Sequence, residues 1–414
     1  MKNICFYFQV HQPFRMRPYH FFDIGNNDNY FDETKNGDIA RKVANKCYLP
    51  ANQVLLELIR EYGTRFKISF SISGTALEQF EKYTPEVLNS FKELASTGCV
   101  EFLGETYYHS LASLISADEF REQVKEHTRK IESLFGQTPK VFRNTELIYS
   151  DKIGDVISNM GFKAMLAEGA DRVLGWKSPN YLYCSASSPQ LKLFLKNYRL
   201  SDDIAFRFSN SSWGEWPLTV EKYVNWLNDL PAQDEIVNLF MDYETFGEHQ
   251  WEESGIFRFL RSLPNQVYSH SQFNFVTPSE AIEQHAPVAS ISMPDHVSWA
   301  DEERNLSAWL GNDLQDNAFE VLYGIEKKVK ATGDSKLLKE WRCMQTSDHF
   351  YYMCTKFFAD GDVHKYFNPY NSPYDAFITY MNVFSDFEAR VNAFLLIKEQ
   401  HKKQKQQNTS SAFN

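Results

Sequence analysis

Short apolar runs alternate with stretches of helical period from the first residues to about position 276, and that rhythm leaves few folds open. Ile4–Val10 is an almost unbroken apolar run. Phe66–Ile72, Cys99–Leu103, Lys140–Phe142, Lys163–Ala167 and Ile236–Met241 repeat the pattern. Runs of this kind read as strands buried on both faces, which occur in parallel sheets whose crossovers are helices. The helices carry their own punctuation. Thr84-Pro85-Glu86 sets an N-cap before a proline at the first helical position, and Gly98 stops the stripe made by Val87, Leu88, Phe91, Leu94 and Ala95. Ser116-Ala117-Asp118-Glu119 reads as a capping box. It opens a helix whose Phe120, Val124, His127, Ile131 and Leu134 recur three and four apart, up to Gly136.

A helical pattern in two pieces, interrupted at Pro50, ends near Gly63, and another spans Ser150 to Gly161. Leu191–Leu195, Ile204–Phe208 and Phe273–Val276 are shorter strand-like runs. Roughly seven or eight strand–helix units over about 290 residues favour a closed barrel over an open sheet. From about residue 300 only helical patterns remain, over 301–331, 335–359 and 372–400, broken at Gly333 and at Pro369 and Pro373. The expected organisation is an α/β barrel over 1–295, an all-helical region packed on it over 296–402, and a polar, disordered tail over 403–414.

Composition narrows the partners. A formal net charge of −11 speaks against a nucleic-acid backbone or an anionic membrane surface and suits a neutral substrate. Six cysteines are scattered without a CxxC pair, so neither a zinc ribbon nor a disulfide framework is expected. No run of about 18 apolar residues could span a membrane. The start, MKNICFYFQVHQP, reads as a first strand rather than a signal peptide, so a cytoplasmic location is expected.

Parallel strands of one barrel bring their C-terminal ends to one face. His11-Gln12-Pro13 follows the first strand. The third contains Glu101 and leads into Glu105, Tyr107, Tyr108 and His109. The fourth runs into Arg143-Asn144-Thr145-Glu146, and the run from 236 opens into MDYETFGEHQW, with Asp242, Glu244, Glu248 and His249. One carboxylate at a strand end is ordinary; acids repeated from strand to strand mark a candidate site. Two carboxylates facing each other across a pocket are what glycosidic cleavage needs. No G-x-S-x-G elbow and no phosphate loop offers a different chemistry. His11, His109, His249 and Asp242 would be the ligands under a metal-dependent carbohydrate deacetylase reading, although closely spaced histidine pairs with a carboxylate are missing.

FQVHQP, VEFLGETYYHSL, VFRNTEL, DYETFGEHQ and SWADEERNLSAWLGN occur in the order of the five sequence regions of glycoside hydrolase family 57, and over roughly residues 1–312 the chain resembles its α-amylase-type branch. The resemblance implies a (β/α)7 barrel with a C-terminal helical region and retaining chemistry on an α-glucan or maltooligosaccharide, with no required metal or cofactor. It puts Glu146 at the nucleophile and Asp242 at the general acid/base. His11 and Glu101 fall at sugar-contacting positions, and Trp299 at a ring that stacks on sugar. Glu244 would raise the Asp242 pKa by like charge or serve as its hydrogen-bond partner. His249 would contact sugar or pack its loop. The third region lacks the tryptophan and proline that several members have before the glutamate. A 4-α-glucanotransferase, a branching enzyme and a non-catalytic glycan-binding homologue therefore stand beside hydrolysis, and the sequence leaves oligomeric state open. Trp213 and Trp216 would form a sugar platform or join the core. Gln345-Thr346-Ser347-Asp348-His349-Phe350-Tyr351-Tyr352 would dock helices on the barrel or reach its mouth.

Overall fold

The computed structural model describes residues 2–356 and 367–411. Among these residues the strands are β1 (Lys2–Val10), β2 (Ile68–Ile72), β3 (Val100–Phe102), β4 (Val141–Arg143), β5 (Ala164–Glu168), β6 (Tyr183–Ser185), β7 (Lys192–Lys196), β8 (Ile236–Asp242), β9 (Phe273–Phe275) and β10 (Ser290–Ile291). One sheet runs β3-β2-β1-β8, with β9 also pairing the start of β1, and a second runs β10-β6-β7-β5-β4. Every pairing is parallel except β6 with β7.

Backbone and side chain join the two sheets at two places. Past β3, the Gly104 N–H donates to Val141 O at 2.9 Å and the Arg143 N–H to Gly104 O at 2.8 Å. At β7 and β8, the Asn197 N–H donates to Asn238 O, and the Asn238 amide donates to Leu195 O, both at 2.9 Å. Successive side chains of a strand point to opposite faces, and β1 shows the consequence. Cys5 and Tyr7 join a cluster with Val141, Leu166, Phe194 and Phe240, drawn from strands of both sheets. Ile4, Phe6, Phe8 and Val10 face a different cluster, which includes the helices Leu49–Tyr62 and Ile256–His270. Apolar on both faces, β1 is the buried parallel strand its composition predicts.

Several sequence expectations shift. Ile204–Phe208 is no strand. Residues Tyr198–Ala205 form a helix because the Asn197 side chain caps it, accepting the Leu200 N–H at 3.1 Å. β6 and β10 were not foreseen; at three and two residues they are too short to carry a pattern. The stretch expected to be helical from 301 becomes so only at Asp313, where the Asn312 side chain accepts from the N–H groups of Leu314 and Gln315. Before that point, Asp301 and Arg304 hold positive φ, which no helix tolerates. The second C-terminal pattern divides into Ser335–Met344 and Ser347–Tyr351, and its end at 357–359 lies outside the described residues. The tail is not irregular: the helix Pro373–Ser411 continues through it, leaving 412–414 outside the described residues. No helix among the described residues is long and apolar enough to cross a membrane.

The C-terminal helices dock on the helix Ala117–Phe135 through a concentrated ion-pair network. Arg342 donates to Glu119 at 2.7 and 3.1 Å, to Glu122 at 2.6 Å and to Glu126 at 3.0 Å, and Lys330 reaches Glu119 at 3.0 Å. Glu119 is fully buried, so its charge depends on these partners. Arg342→Ala is expected to cost about 3 kcal/mol, near the low end for stranding a buried charge because Lys330 remains. The shift of the urea midpoint reads it directly. A change below about 0.5 kcal/mol would mark the network as a solvated surface contact.

Candidate active site

The cavity sits where β1 and β8 end and the loop after β4 turns over. Gln9 of β1 is paired in register with Asp242 of β8. Gln9, His11, Glu146, Asp242, Glu244 and His249 line one space, closed on its far side by Asp348, Tyr352 and Phe367 from the C-terminal region. Five of the expected site residues are thus brought together: His11, Glu146, Asp242, Glu244 and His249.

Glu146 stands on a tight turn, Thr145–Leu147, with φ +56° and ψ +27°, followed by Leu147 at φ +52°. Left-handed backbone is costly for a side chain of this size and persists only where its surroundings enforce it. The surroundings are hydrogen-bond donors. The Trp299 indole N–H donates to Glu146 Oε2 at 2.8 Å, and the Ser347 hydroxyl donates to Oε1 at 3.0 Å. His109 Nε2 lies 3.5 Å from Oε1, and its Nδ1 lies 3.0 Å from Glu105 Oε2. Backbone bridges hold these donors in reach. Tyr149 and Val297 exchange hydrogen bonds of 3.0 and 2.9 Å, and the Ser347 N–H donates to His109 O at 2.9 Å.

Electrostatics divide two stacked imidazoles. His11 and His109 lie 3.9 Å apart, nearly parallel. Burial works against a charged His109, yet the carboxylates of Glu105 and Glu146 outweigh it and raise the pKa to about 9. His11, pressed by burial and by the charge of His109, falls to about 4. One ring is therefore cationic and the other neutral near pH 7. The neutral ring is 2.9 Å from Asp348 Oδ2 through Nε2 and 2.7 Å from Ser73 Oγ through Nδ1. A carboxylate only accepts, which assigns the His11 proton to Nε2.

Behind Asp242, Glu244 takes the hydroxyl of Tyr48 and, at 3.5 Å, the Gln12 amide. Burial, and then the charge of Asp242, push its pKa up to about 8, so it is mostly neutral at pH 7. The like-charge coupling expected between the two acids is thus seen on Glu244, and such repulsion is mutual. Tyr48 arrives from a π-helical turn, Ala44–Tyr48, just before Pro50. Proline has no N–H for the Lys46 carbonyl four residues back. That carbonyl presses on Gly247, where a Cβ would come within 1.9 Å, and Gly247 holds φ +114°. A glycine is thus required in the loop carrying Asp242 and Glu244.

Two expectations need correction. Glu101 does not line the cavity. Its carboxylate accepts the Ser279 N–H at 2.9 Å and the Ser279 hydroxyl, at the start of the helix Pro278–Gln284, in a separate recess. The reason is position: Glu101 lies inside β3, before the strand's C-terminal end, whereas Glu105 lies beyond it and reaches His109. Trp299 touches the site, but through its N–H. Arg143 and Lys196 lie over its ring at 4.6 and 5.5 Å, so its contacts describe a residue that positions Glu146 rather than an open sugar platform. Trp213 packs edge-on against Trp226, while Trp216 is half exposed. Sequence reasoning passed over His109 and Ser347 as partners of Glu146. A histidine four residues after Glu105 was the one available signal.

Comparison with known proteins follows the same line. The family model described as Glycosyl hydrolase family 57 matches residues 5–294. A protein of Methanocaldococcus jannaschii named "Putative alpha-amylase" is 43% identical over 412 residues, covering 96% of this chain and 86% of its own. The solved 4-alpha-glucanotransferase of Thermococcus litoralis superposes with a TM-score of 0.65 at 17% identity, over 84% of this chain and 56% of that one. The alpha-amylase AmyC of Thermotoga maritima gives 0.61 at 13% identity, over 95% and 96%. At such identities the two superpositions speak for the fold alone.

The raised pKa of Glu244 has a consequence for stability. Between its ordinary 4.5 and about 8 the folded protein holds a proton there that the unfolded chain has released. Stability at this site therefore falls as pH rises through that window. Glu244→Gln, which has no such proton to lose, should flatten the fall in melting temperature from about pH 5 to about pH 8. An unchanged pH dependence would show that Glu244 is ionised in the fold.

Proposed function

This chain belongs to glycosyl hydrolase family 57 and is a glycosidase, and we propose that it is a retaining, α-amylase-like enzyme acting on α-1,4-linked glucans. In this reading Glu146 is the nucleophile and Asp242 the general acid/base. The observation that carries it is the state of Glu146: a buried carboxylate on strained backbone, gripped by Trp299 and Ser347 and set against a cationic histidine, on the same cavity as Asp242.

The adjacent carboxyls of Asp242 and Glu244 hold one proton between them near pH 7; Asp242 delivers it to the glycosidic oxygen as the bond to the anomeric carbon breaks, and Glu146 forms an ester to that carbon. Asp242, now a carboxylate, takes a proton from water. The water oxygen attacks the anomeric carbon from the opposite face, and Glu146 is released as a carboxylate. Two inversions leave the α configuration intact. The charge on His109 keeps Glu146 ionised before attack and favours its departure as an anion afterwards. Neutral His11, oriented by Asp348 and Ser73, offers the sugar a contact without competing for a proton.

The fold belonging to this reading is a (β/α)7 barrel of β1, β2, β3, β4, β5, β7 and β8, over residues 1–295, with the helical region from 296 onward docked on it. The hydrogen bonds at Gly104 and Asn238, at the two joints between the sheets, support closure. The cluster that collects one face of both sheets supports it as well. α-Glucan specificity rests on family membership and on the alpha-amylase name of the 43% identical relative.

Glu146→Gln keeps the shape but cannot form the ester. kcat on maltooligosaccharides should drop by about a thousandfold or more, while binding measured by calorimetry largely persists. Activity within about tenfold of the parent would remove Glu146 from the role. Proton NMR of the first product from an α-glucan should show the α-anomer. A β-anomer would sink the retaining mechanism, whose carboxyl groups stand about 5–5.5 Å apart in place of the roughly 6.5–9.5 Å of inverting enzymes.

A further inference from the structure

A second concavity lies at the opposite ends of the strands from the cavity. It is a groove of about 780 Å³, lined by Arg121, Lys125, Arg129, Lys140 and Lys163 over a floor of Pro139, Met160 and Phe162. No acid lines it, in a chain with 54 acidic residues against 43 basic ones. From the geometry we propose that this groove binds a small molecule carrying a polyphosphate chain, a chemistry supplied by nucleoside polyphosphates or by inorganic polyphosphate.

The helix Ala117–Phe135 divides its charges by face. Glu119, Glu122 and Glu126 turn toward Arg342, while Arg121, Lys125 and Arg129 recur four apart along the groove. Like charges four apart destabilise a helix unless something offsets them. Arg121 has Asp118 at 3.0 Å; Lys125 and Arg129 are exposed. The strands add to the same field. Lys140 and Lys163, just before β4 and β5, are tied by a backbone hydrogen bond of 2.8 Å, which sets two lysines on neighbouring strands at one edge. Lys140 also borders the recess holding Glu101, and Glu132 takes the Thr138 hydroxyl at the rim. Lys125, Arg129 and Lys163 therefore form the heart of the patch.

Size and shape select the ligand. The row from Arg121 to Arg129 extends about 12 Å at 1.5 Å per residue, longer than one phosphate can engage and suited to a chain of several. The volume lies within the range of small-molecule sites, and Pro139, Met160 and Phe162 add apolar lining against which a heterocycle can rest.

Titration calorimetry of the full chain at low salt, with ATP, ADP, tripolyphosphate and adenosine as probes, tests this. ATP and tripolyphosphate should bind and adenosine should not; tighter binding of ATP than of tripolyphosphate assigns the site to nucleotides, and equal binding to the phosphate chain alone. The double variant K125E/R129E should weaken binding at least about tenfold. It should leave maltooligosaccharide hydrolysis unchanged and change the melting temperature little, since both side chains are exposed and one like-charged pair four apart replaces another. Lys163→Ala, on a different element, should weaken binding in the same direction and checks the result independently of the helix. Absence of heat with every phosphate probe would overturn the proposal. So would binding that neither variant alters, or binding confined to polynucleotide or anionic vesicles.

Discussion

A carboxylate buried in the protein interior keeps its charge only if donors meet it there, and the architecture around Glu146 follows from that requirement. No single segment could supply them. The indole of Trp299 comes from beyond the last strand, the hydroxyl of Ser347 from a short C-terminal helix and the imidazole of His109 from the loop after β3. Each arrives on a segment tied elsewhere: Val297 to Tyr149 and Ser347 to His109 through the backbone, and Thr346 to the Tyr108 carbonyl through its hydroxyl. The left-handed turn at Glu146 is the local cost of aiming the carboxylate at all three.

The same logic sorts protons among neighbours that would otherwise titrate together. His109 lies between two carboxylates and is charged; His11, stacked on it, is neutral and spends its proton on Asp348. Glu244 is walled in by Tyr48, Gln12 and Asp242 and is mostly neutral at pH 7. Charge is thus carried by alternate members of a packed set, which avoids adjacent like charges in a low dielectric.

Much of this was legible where a period or a cap recorded it. The strands of both sheets, β6 and β10 excepted, announced themselves as apolar runs, and the helix Ala117–Phe135 by its Ser116 cap and spacing, with Gly136 at φ +68° closing it. The misreadings have physical causes. Ile204–Phe208 looked extended because its apolar residues alternate, but a cap at Asn197 had already committed the chain to a helix. Glu146, Asp242 and His11 could be found because strand ends converge. Glu101 misled because it lies inside β3, short of the end at which the cavity forms, and its carboxylate goes to Ser279 instead. The role of His109 was hidden because φ +49° turns its ring back over Glu105 and Glu146, a conformation that residue type does not announce. Nothing in the sequence around Ser347 marks a donor to a carboxylate some two hundred positions away.

That last contact changes how the C-terminal helices should be understood. A helical appendage that merely covered a finished α/β region would bury apolar surface and leave the polar centre satisfied without it. Here Ser347 completes the coordination of Glu146 Oε1, and Asp348 receives the proton of His11. Tyr352 and Phe367 close the cavity wall. The docking ion pairs from Arg342 and Lys330 to Glu119 hold the two helices that lead into Ser347 against the helix Ala117–Phe135. Stability of the interface and geometry of Glu146 are therefore one property. A rotation of the helical region that lengthened the Ser347 contact would leave a buried carboxylate short of a donor, and the energy of that loss would resist the rotation.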